Sequence, residues 1–573
     1  MKKLINRPEN VVREMMQGFV AMHGGLVLIP EHHVLLRADA DEVRNRQVAL
    51  ISGGGSGHEP AHGGYVGAGM LSAAVAGEVF TSPTPDSVFA AIQATGGEPG
   101  VLLIVKNYTG DRLNFGLAAE MARAEGIPVE IVVVSDDVAL AGTQQYAGAR
   151  GIAGTVLVHK VAGAAAAEGK DLADVAAIAR ETANAVATMG IALSAGTVPT
   201  AGKPSFVLDE EEVEIGLGIH GEPGIRRVPL RAADDHAEEL IQEIVAAHEL
   251  MEGERIAVLV NNLGATTMME VAIFTRHALG LLESRGLVIE RVYTGTFMTS
   301  LEAAGLSFSI LRVDEDRLRR LDAPTSAPAW PNLAAARAGL SQNRIRTSPQ
   351  FTPVSHRDWA DQPPNQLQRI ILSACRALRD AEVRLTELDQ TVGDGDLGVN
   401  LARGATAIEE TLPLYQAHSP SEALRAAGLT LQRVVGGSSG AFYGVFLLRA
   451  ATSLRTADAN DLQAWAKASL EACDAISRVG DARPGDRTML DALLPFANTF
   501  AGSLNEGCST AEALNAAVSA AENGAEATAS MLPKRGRSSY LGERVIGHPD
   551  PGAIAAVVWL RAVVSAALGV FHS

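Results

Sequence analysis

Near residue 321 the hydrophobic pattern of this chain changes character, and no single fold class accommodates both sides of the change. Upstream, from about Gln47 to Asp314, short β-branched runs alternate with Ala-rich stretches. Candidate strands are Val48–Ser52, Val101–Lys106, Val129–Val134, Thr155–His159 and Ile256–Asn261, and candidate helices include Leu117–Glu125, Asp171–Met189 and Ala233–His248. Such alternation predicts an α/β body with parallel strands, whose functional groups gather at strand C-termini. From about Leu321 to Pro364 the periodicity dissolves into a Pro-, Ser- and Ala-rich stretch. Beyond it the segments Leu367–Glu387, Asn400–Leu412, Ser421–Val434, Ala441–Arg455, Asp461–Ser477, Thr510–Leu532 and Ala553–Leu568 are all amphipathic helix candidates without β-rich runs. The prediction is therefore an α/β domain over 1–325, a linker over 326–364 and an all-α domain over 365–573.

Charge narrows the partners. With 48 basic against 66 acidic side chains the 573-residue chain carries a net −18, which repels phosphate backbones and anionic lipid. Nucleic acid and membrane surfaces are excluded, and small molecules remain. Cys375, Cys473 and Cys508 form no Cys-x-x-Cys pair, so a disulfide framework and a thiolate metal site are not expected, and a reducing cytoplasm fits. The N-terminal MKKLINRPENVV is broken by Asn6, Arg7, Pro8 and Glu9 where a signal peptide needs an apolar run. No segment reaches the roughly 18–20 uninterrupted apolar residues of a membrane span, because Arg561 divides Ile554–Val570.

Four local constellations carry chemistry. In LISGGGSGHEPAHGGYVG a strand ends in Gly53, Gly54, Gly55, Ser56 and Gly57, followed by His58 and Glu59. Backbone N–H groups of such a loop can close around a small polar ligand. A phosphate-binding loop would need Lys-Ser/Thr where His58 and Glu59 stand. In LLIVKNYTGDRLNF, Lys106 supplies a donor for a substrate oxygen and Asp111 a carboxylate that can orient a histidine, which suggests a His58–Asp111 general-base pair. Asn, Thr, Gly and Asp also serve ordinary turns, so that segment alone is weak. In EIGLGIHGEPGIRR the spacing Gly216-x-Gly218-x-x-Gly221 imitates a dinucleotide fingerprint, but Pro223 and Gly224 forbid the helix it should open. His220 is left in a strand-end turn beside Glu222, with no role derivable locally.

The fourth lies in the helical half, where ELDQTVGDGDLGVN gathers Asp389, Asp394 and Asp396. Three carboxylates within eight residues repel one another at neutral pH, and a hard cation is the natural reason to gather them. An EF-hand is excluded because the twelfth position counted from Asp394 is Ala405. Three more loops lie at helix boundaries: VGGSSGAFYG with Ser438 and Ser439, VGDARPGDRTMLDAL with Gly480, Thr488 and Met489, and KRGRSSYLGERVIGHPDPGA with Arg537, Asp550, Pro551 and Gly552. A helix opened by Ser438-Ser439-Gly440 offers free N–H groups to phosphate oxygens, and Arg537 can meet charge on a transferred phosphoryl group. Singly each is a loop; jointly they outline a Mg–nucleotide site.

Taken together these segments resemble the dihydroxyacetone kinase family in its single-chain ATP-dependent form. GGGSGHEPAHGGYVG, GEVFTSPTPD, IVKNYTGDRLNF and GLGIHGEPG are similar to that family's substrate segments, and DQTVGDGDLG, GGSSG, PGDRTMLDAL and GRSSYLGER…GHPDPGA to its ATP segments. The resemblance implies a substrate domain of two α/β subdomains and an eight-helix antiparallel barrel. It implies that His220 holds the substrate carbonyl as a covalent hemiaminal, that His58 is the general base assisted by Asp111, and that Gly55, Ser56, Gly57 and Lys106 bind substrate. Asp389, Asp394 and Asp396 would hold two Mg²⁺ ions on ATP, with nucleotide contacts from Leu397, Gly398, Val399, Asn400, Ser438, Ser439, Gly480, Thr488, Met489, Arg537, Asp550, Pro551 and Gly552. A homodimer is also implied. The expected reaction is ATP-dependent phosphorylation of dihydroxyacetone; alternatives within the resemblance are a four-carbon ketose such as erythrulose and cyclising cleavage of FAD at the same nucleotide site. A non-enzymatic sugar sensor would lack the nucleotide motifs that are present here.

Overall fold

The computed structural model describes residues 2–140, 148–222, 224–332, 365–411, 419–435, 437–535 and 537–571. The chain forms two compact units, Met1–Arg346 and Thr347–Ser573.

The first unit contains two six-stranded sheets. One is built from β1 (Leu26–Ile29), β2 (Val34–Arg37), β3 (Ala49–Ser56), β4 (Ala73–Val79), β5 (Val101–Lys106) and β6 (Val129–Val134), in the order β1-β2-β4-β3-β5-β6. The other comprises β7 (Val186–Ala192), β8 (Glu212–Ile215), β9 (Arg226–Pro229), β10 (Arg255–Asn262), β11 (Val288–Gly295) and β12 (Gly305–Arg312), in the order β11-β10-β12-β7-β8-β9. The helices are α1 (Val11–Met22), α2 (Ala40–Val43), α3 (Pro85–Thr95), α4 (Thr109–Ala124), α5 (Thr155–Ala167), α6 (Leu172–Asn184), α7 (Ala233–Ala247), α8 (Met268–Ser284) and α9 (Glu315–Asp322). Every residue of β3 and β5 is buried, as their unbroken small and apolar runs require of strands covered on both faces. Helix starts follow their caps: Thr84 accepts from Ser87 N ahead of Pro85 in α3, and Thr267 with Glu270 forms a capping box on α8.

The expectation of parallel strands holds for only part of this unit. In the first sheet β3 pairs in parallel with β4 and β5, and β5 with β6. In the second sheet only β10 and β11 are parallel, because β12 inserts antiparallel between β10 and β7. Thr155–His159, expected as a strand, is the first turn of α5. Its β-branched start continues into an Ala-rich run, and a helix buried on all sides loses the amphipathic signature that would have marked it. Asp171–Met189, expected as one helix, ends at Asn184, after which β7 begins at Val186 with no Gly or Pro between them.

Residues 326–332, assigned from sequence to the linker, pack on this unit. Ser326 N donates to Ala68 O at 3.1 Å and Ala329 N to Gly64 O at 2.9 Å. Trp330 is 4% exposed, with its ring 4.8 Å from Tyr293 and 6.5 Å from Phe297. The rest of the expected linker, 333–364, lies outside the described residues.

The second unit is helical throughout its described residues: α10 (Gln366–Asp380), α11 (Glu382–Val392), α12 (Leu397–Thr411), α13 (Pro420–Val434), α14 (Gly437–Ser453), α15 (Leu462–Gly480), α16 (Leu490–Asn505), α17 (Thr510–Ala527) and α18 (Pro551–Phe571). Sequence analysis missed α16, which carries Pro495 in its interior. Contrary to expectation, α18 is long and apolar enough by length and composition to cross a membrane. Here Ala553, Ala555, Ala556, Leu560 and Val564 of α18 sit in the core of the bundle. Around the bundle interior, Leu401, Leu424, Phe446, Phe496, Trp559 and Leu560 line an apolar cavity of about 330 Å³.

Removing the Trp330 ring should cost about 3–5 kcal/mol, the usual range for large-to-small changes at buried aromatics. Trp330→Ala should therefore lower the urea midpoint of the first unit and expose residues 326–332 to limited proteolysis.

Candidate active site

The glycine-rich end of β3 is clasped by the segment between β11 and β12. Leu301 N donates to Gly57 O at 2.8 Å, and Thr299 N donates to His58 O at 3.1 Å. Gly57 has φ +101°, and a Cβ there would lie 2.9 Å from the Phe80 ring, so the turn needs glycine twice over. His58 is fully buried, its Nδ1 2.8 Å from Thr299 O. A carbonyl only accepts, so Nδ1 carries the proton and Nε2 the lone pair. That Nε2 is buried and unpartnered among the described residues. Burial, reinforced by His220 and Lys106, holds the imidazole well below its usual pKa, so at neutral pH it is an uncharged base.

His220 follows β8 in a turn and donates from Nδ1 to Glu222 Oε1 at 2.7 Å, while its backbone N donates to Glu222 Oε2 at 3.0 Å. The carboxylate thus selects the Nδ1–H tautomer here too, leaving Nε2 nucleophilic. Burial works against the Glu222 charge, but the hydrogen bond from His220 and the nearby Arg150 hold its carboxyl below the usual range. Arg150 is anchored by Asp137 Oδ2 at 2.7 Å and Gly216 O at 2.6 Å. Gly218 makes room, since a Cβ there would fall 2.1 Å from Glu222 Oε2 and 2.6 Å from Arg150 Nη1. The His58 and His220 rings meet edge to face at 4.8 Å. Phe80 stacks on His58 at 5.2 Å, and Tyr108 stands edge-on to His220 at 4.5 Å. The two imidazoles therefore lie in contact, flanked by the Phe80 and Tyr108 rings.

Lys106 ends β5, fully buried, and its Nζ donates to Gly53 O at 3.0 Å. A Cβ on Gly54 would stand 2.4 Å from that Nζ, which places the ammonium directly under the glycine strand. Asp111 Oδ2 is 3.9 Å from Lys106 Nζ, and Asp111 Oδ1 accepts from Ser82 Oγ. The expected His58–Asp111 hydrogen bond is not made: the acceptor at His58 is the Thr299 carbonyl, 241 residues away, and Asp111 faces Ser82 and Lys106 instead. Ser56 Oγ is turned to Gly77 O at 2.7 Å, and the Gly55 backbone lies against Phe80 and Thr81.

In the helical unit the ligand oxygens of Asp389, Asp394 and Asp396 lie within 4.8 Å of one another, with Asp394 and Asp396 exposed. Asp389 Oδ2 accepts from Asp396 N at 3.0 Å and Leu397 N at 3.2 Å, so it also caps α12. Gly398 packs α12 on α11, where a Cβ would meet Glu382 O at 2.2 Å; Val399 faces outward and Asn400 is half-buried. Asp491 ties the loop ahead of α16 by accepting from Gly485 N at 2.5 Å and Thr488 N at 2.8 Å. Asp550 caps α18 through Ala553 N at 2.8 Å; burial pushes its carboxyl up to about 6, Arg487 opposing while Asp491 and Asp389 add to the rise. Gly552 lies beside Met489, and Gly480 against Phe442 of α14, so the loop ahead of α16 meets the start of α18 and the end of α15 meets α14. Ser438 and Ser439 are in the first turn of α14 and Arg537 opens a 3₁₀ turn, but the side chains of all three lie outside the described residues.

Sequence analysis passed over Arg487. This fully buried side chain donates from Nη2 to His548 O at 2.9 Å, with Nη1 4.0 Å from Asp550 and no partner for Nε among the described residues. Its φ of +62° is strained for a non-glycine residue. Glu222 had a visible signal, an acid two residues from a histidine; Thr299 had none.

Comparison with known proteins accords with this geometry. The Dak1 domain family matches residues 17–329 and the DAK2 domain family residues 391–565. Triokinase/FMN cyclase of Homo sapiens is 43% identical over 98% of this chain and 99% of its own. D-erythrulose kinase of Mycolicibacterium smegmatis is 35% identical over 98% of each chain. The crystal structure of the dihydroxyacetone kinase from C. freundii in complex with AMP-PNP and Mg²⁺ matches with a TM-score of 0.61 and 34% identity, covering 98% of this chain and 99% of that one. The chain belongs to the dihydroxyacetone kinase family, with its Dak1 and DAK2 domains in one polypeptide.

Burial holds His58, His62 and His159 below their unfolded pKa of 6.5, His159 to about 3. The unfolded chain then binds protons that the folded one refuses, so the stability present above about pH 6.5 is lost as pH falls toward 3. Urea midpoints of the first unit should fall between pH 7 and pH 5, and His159→Gln should flatten that fall.

Proposed function

We propose that this protein is an ATP-dependent ketose kinase that phosphorylates the terminal hydroxyl of a short ketose, dihydroxyacetone foremost. The observation that carries this reading is the pair of Nδ1–H histidines, His58 and His220, whose rings meet edge to face at 4.8 Å. His220 Nε2 adds to the substrate carbonyl carbon and the C=O π pair moves to oxygen; the alkoxide takes a proton from solvent while the Nδ1 proton passes to Glu222, and a neutral hemiaminal results. Positive charge that builds on the imidazole is met by Glu222 through Nδ1–H. A carbonyl is required for this step, so ketoses and aldehydes are accepted and plain polyols refused. His58 Nε2 removes the proton of the hydroxyl that attacks the γ-phosphorus of ATP, and Lys106 with Gly55, Ser56, Gly57 and Asp111 positions the sugar. Phe80 and Tyr108 wall the recess and keep water out.

Asp389, Asp394 and Asp396 form an all-oxygen, hard donor set that fits Mg²⁺, in keeping with the AMP-PNP and Mg²⁺ complex of the C. freundii relative. Two Mg²⁺ ions held there would neutralise phosphate charge during transfer. Nucleotide contacts fall to Leu397, Gly398, Val399, Asn400, Gly480, Thr488, Met489, Asp550, Pro551 and Gly552, and to Ser438, Ser439 and Arg537. The eight-helix antiparallel barrel rests on the family resemblance, supported by the nine described helices, of which α10 and α11 adjoin at Ala381, and by the apolar cavity that the unit encloses. A homodimer and a cytoplasmic location rest on the family resemblance.

A second reading follows from the human relative's name, Triokinase/FMN cyclase: cyclising cleavage of FAD at the same nucleotide site. FAD with Mn²⁺, followed by flavin fluorescence, tests it. The four-carbon alternative is supported by the D-erythrulose kinase relative.

Purified protein with Mg-ATP should phosphorylate dihydroxyacetone, glyceraldehyde or erythrulose, and inactivity on all of them would sink the kinase assignment. His58→Ala should lower kcat by ~10²–10⁴, the usual contribution of a general base. His220→Ala should abolish the covalent adduct and raise KM while keeping part of the turnover at saturation. In calorimetry Asp394→Ala should lose Mg-ATP binding and keep ketose binding.

A further inference from the structure

Behind the recess a chain of buried polar groups runs from Lys106 to α5. Lys106 Nζ is 2.8 Å from His62 Nε2, and His62 Nδ1 is 3.0 Å from His159 Nε2. His62 is 6% exposed, Lys106 and His159 are fully buried, and His159 Nδ1 has no partner among the described residues. An ammonium only donates. His62 Nε2 must therefore accept, which puts the His62 proton on Nδ1 and makes His159 Nε2 the next acceptor. The same logic leaves the His159 proton on the unpartnered Nδ1. A chain built only for stability would not end on a buried, unsatisfied N–H, which costs more than an apolar replacement of similar shape.

We propose that His62 and His159 are positioning residues for Lys106: their fixed tautomers hold the Lys106 ammonium beneath Gly54 and keep it charged for the substrate oxygen. The proposal rests on the reading of Lys106 as a substrate-site residue. Gly53 O takes one ammonium proton and His62 Nε2 a second, while the Asp111 carboxylate stands 3.9 Å away. The titratable groups facing Lys106 are Asp111 from α4, His58 and His62 from the loop after β3, and His159 from α5. Of these only Asp111 favours the ammonium by charge. Burial lowers the Lys106 pKa and the Asp111 charge opposes it, while the acceptor at His62 gives the ammonium one further hydrogen bond. Losing Nε2 as acceptor removes one hydrogen bond specific to the charged form and moves the lysine further down.

The test is the pH dependence of kcat/KM for the ketose under saturating Mg-ATP, in the full chain. His62→Leu should lower kcat/KM roughly 10- to 150-fold, the range for a hydrogen bond to a charged group, and shift the alkaline limb to lower pH. His62→Gln, whose side-chain carbonyl can accept from the ammonium, should keep the parent's limb, and His159→Leu should shift it in the same direction by less. Equal impairment by Leu and Gln at position 62, or a parent-like limb in His62→Leu, overturns the proposal. Should circular dichroism show that His62→Leu does not fold, an unchanged limb in His159→Leu overturns it. Lys106→Met separates the two levels: if that variant stays active the substrate-site reading falls, whereas an inactive Lys106→Met beside a parent-like His62→Leu overturns the positioning role alone.

Discussion

The hydrogen bond from His58 Nδ1 to the Thr299 carbonyl is the constraint on which the placement of the histidine pair depends. It spans 241 residues and joins the end of β3 in one sheet to the β11–β12 connection of the other. The same connection donates to Gly57 and Glu59, Thr299 Oγ1 reaching Gly57 O at 3.2 Å and Glu59 O at 3.0 Å. One backbone carbonyl thereby fixes the position and the tautomer of the ring. With no acid as partner, the imidazole gains no charge stabilisation and stays a neutral base. At His220 the opposite choice is made: a carboxylate partner prepares the ring to become positive. In the proposed mechanism, what sits on Nδ1 is what divides two histidines of identical chemistry into base and nucleophile.

Legibility in the sequence followed the range of the interactions involved. GGGSGHEP and IVKNYTGD could be read as strand-end sites because strand, turn and polar residues are contiguous, and β3 and β5 carry them where expected. The Asp389–Asp394–Asp396 cluster was legible for the same reason, its residues lying within eight positions, at the end of α11 and in the turn into α12. The partner of His58 was not, since nothing near Thr299 distinguishes its carbonyl from any other. The His58–Asp111 pairing failed because an ammonium and a serine hydroxyl, placed by β5 and the segment after β4, claim the carboxylate first. The errors in secondary structure have a common source. Where a segment is buried on all sides, as in α5, or passes from helix to strand without punctuation, as at Ala185, periodicity carries no signal and tertiary packing decides.

Charge in the helical unit shows the same local logic. A chain of net −18 is a poor host for a polyphosphate in bulk, yet its acidic groups are not spread evenly around the loops of this unit. Asp389 and Asp491 spend their oxygens on backbone N–H groups, Asp550 on the N-terminus of α18, and each thereby fixes a loop. Arg487 sits among them at full burial, with one bond to His548 O and a 4.0 Å approach to Asp550. A buried guanidinium so poorly paired is costly, and the left-handed backbone beneath it adds strain. Both costs make sense if the aspartates around it hold negative charge, because the cation then offsets their mutual repulsion from inside the protein. Asp394 and Asp396 are exposed, with ligand oxygens within 4.8 Å of one another and of Asp389. On the proposed reading, an acidic chain would accommodate an anionic nucleotide through two layers of positive charge, one built in at Arg487 and one brought by the metal.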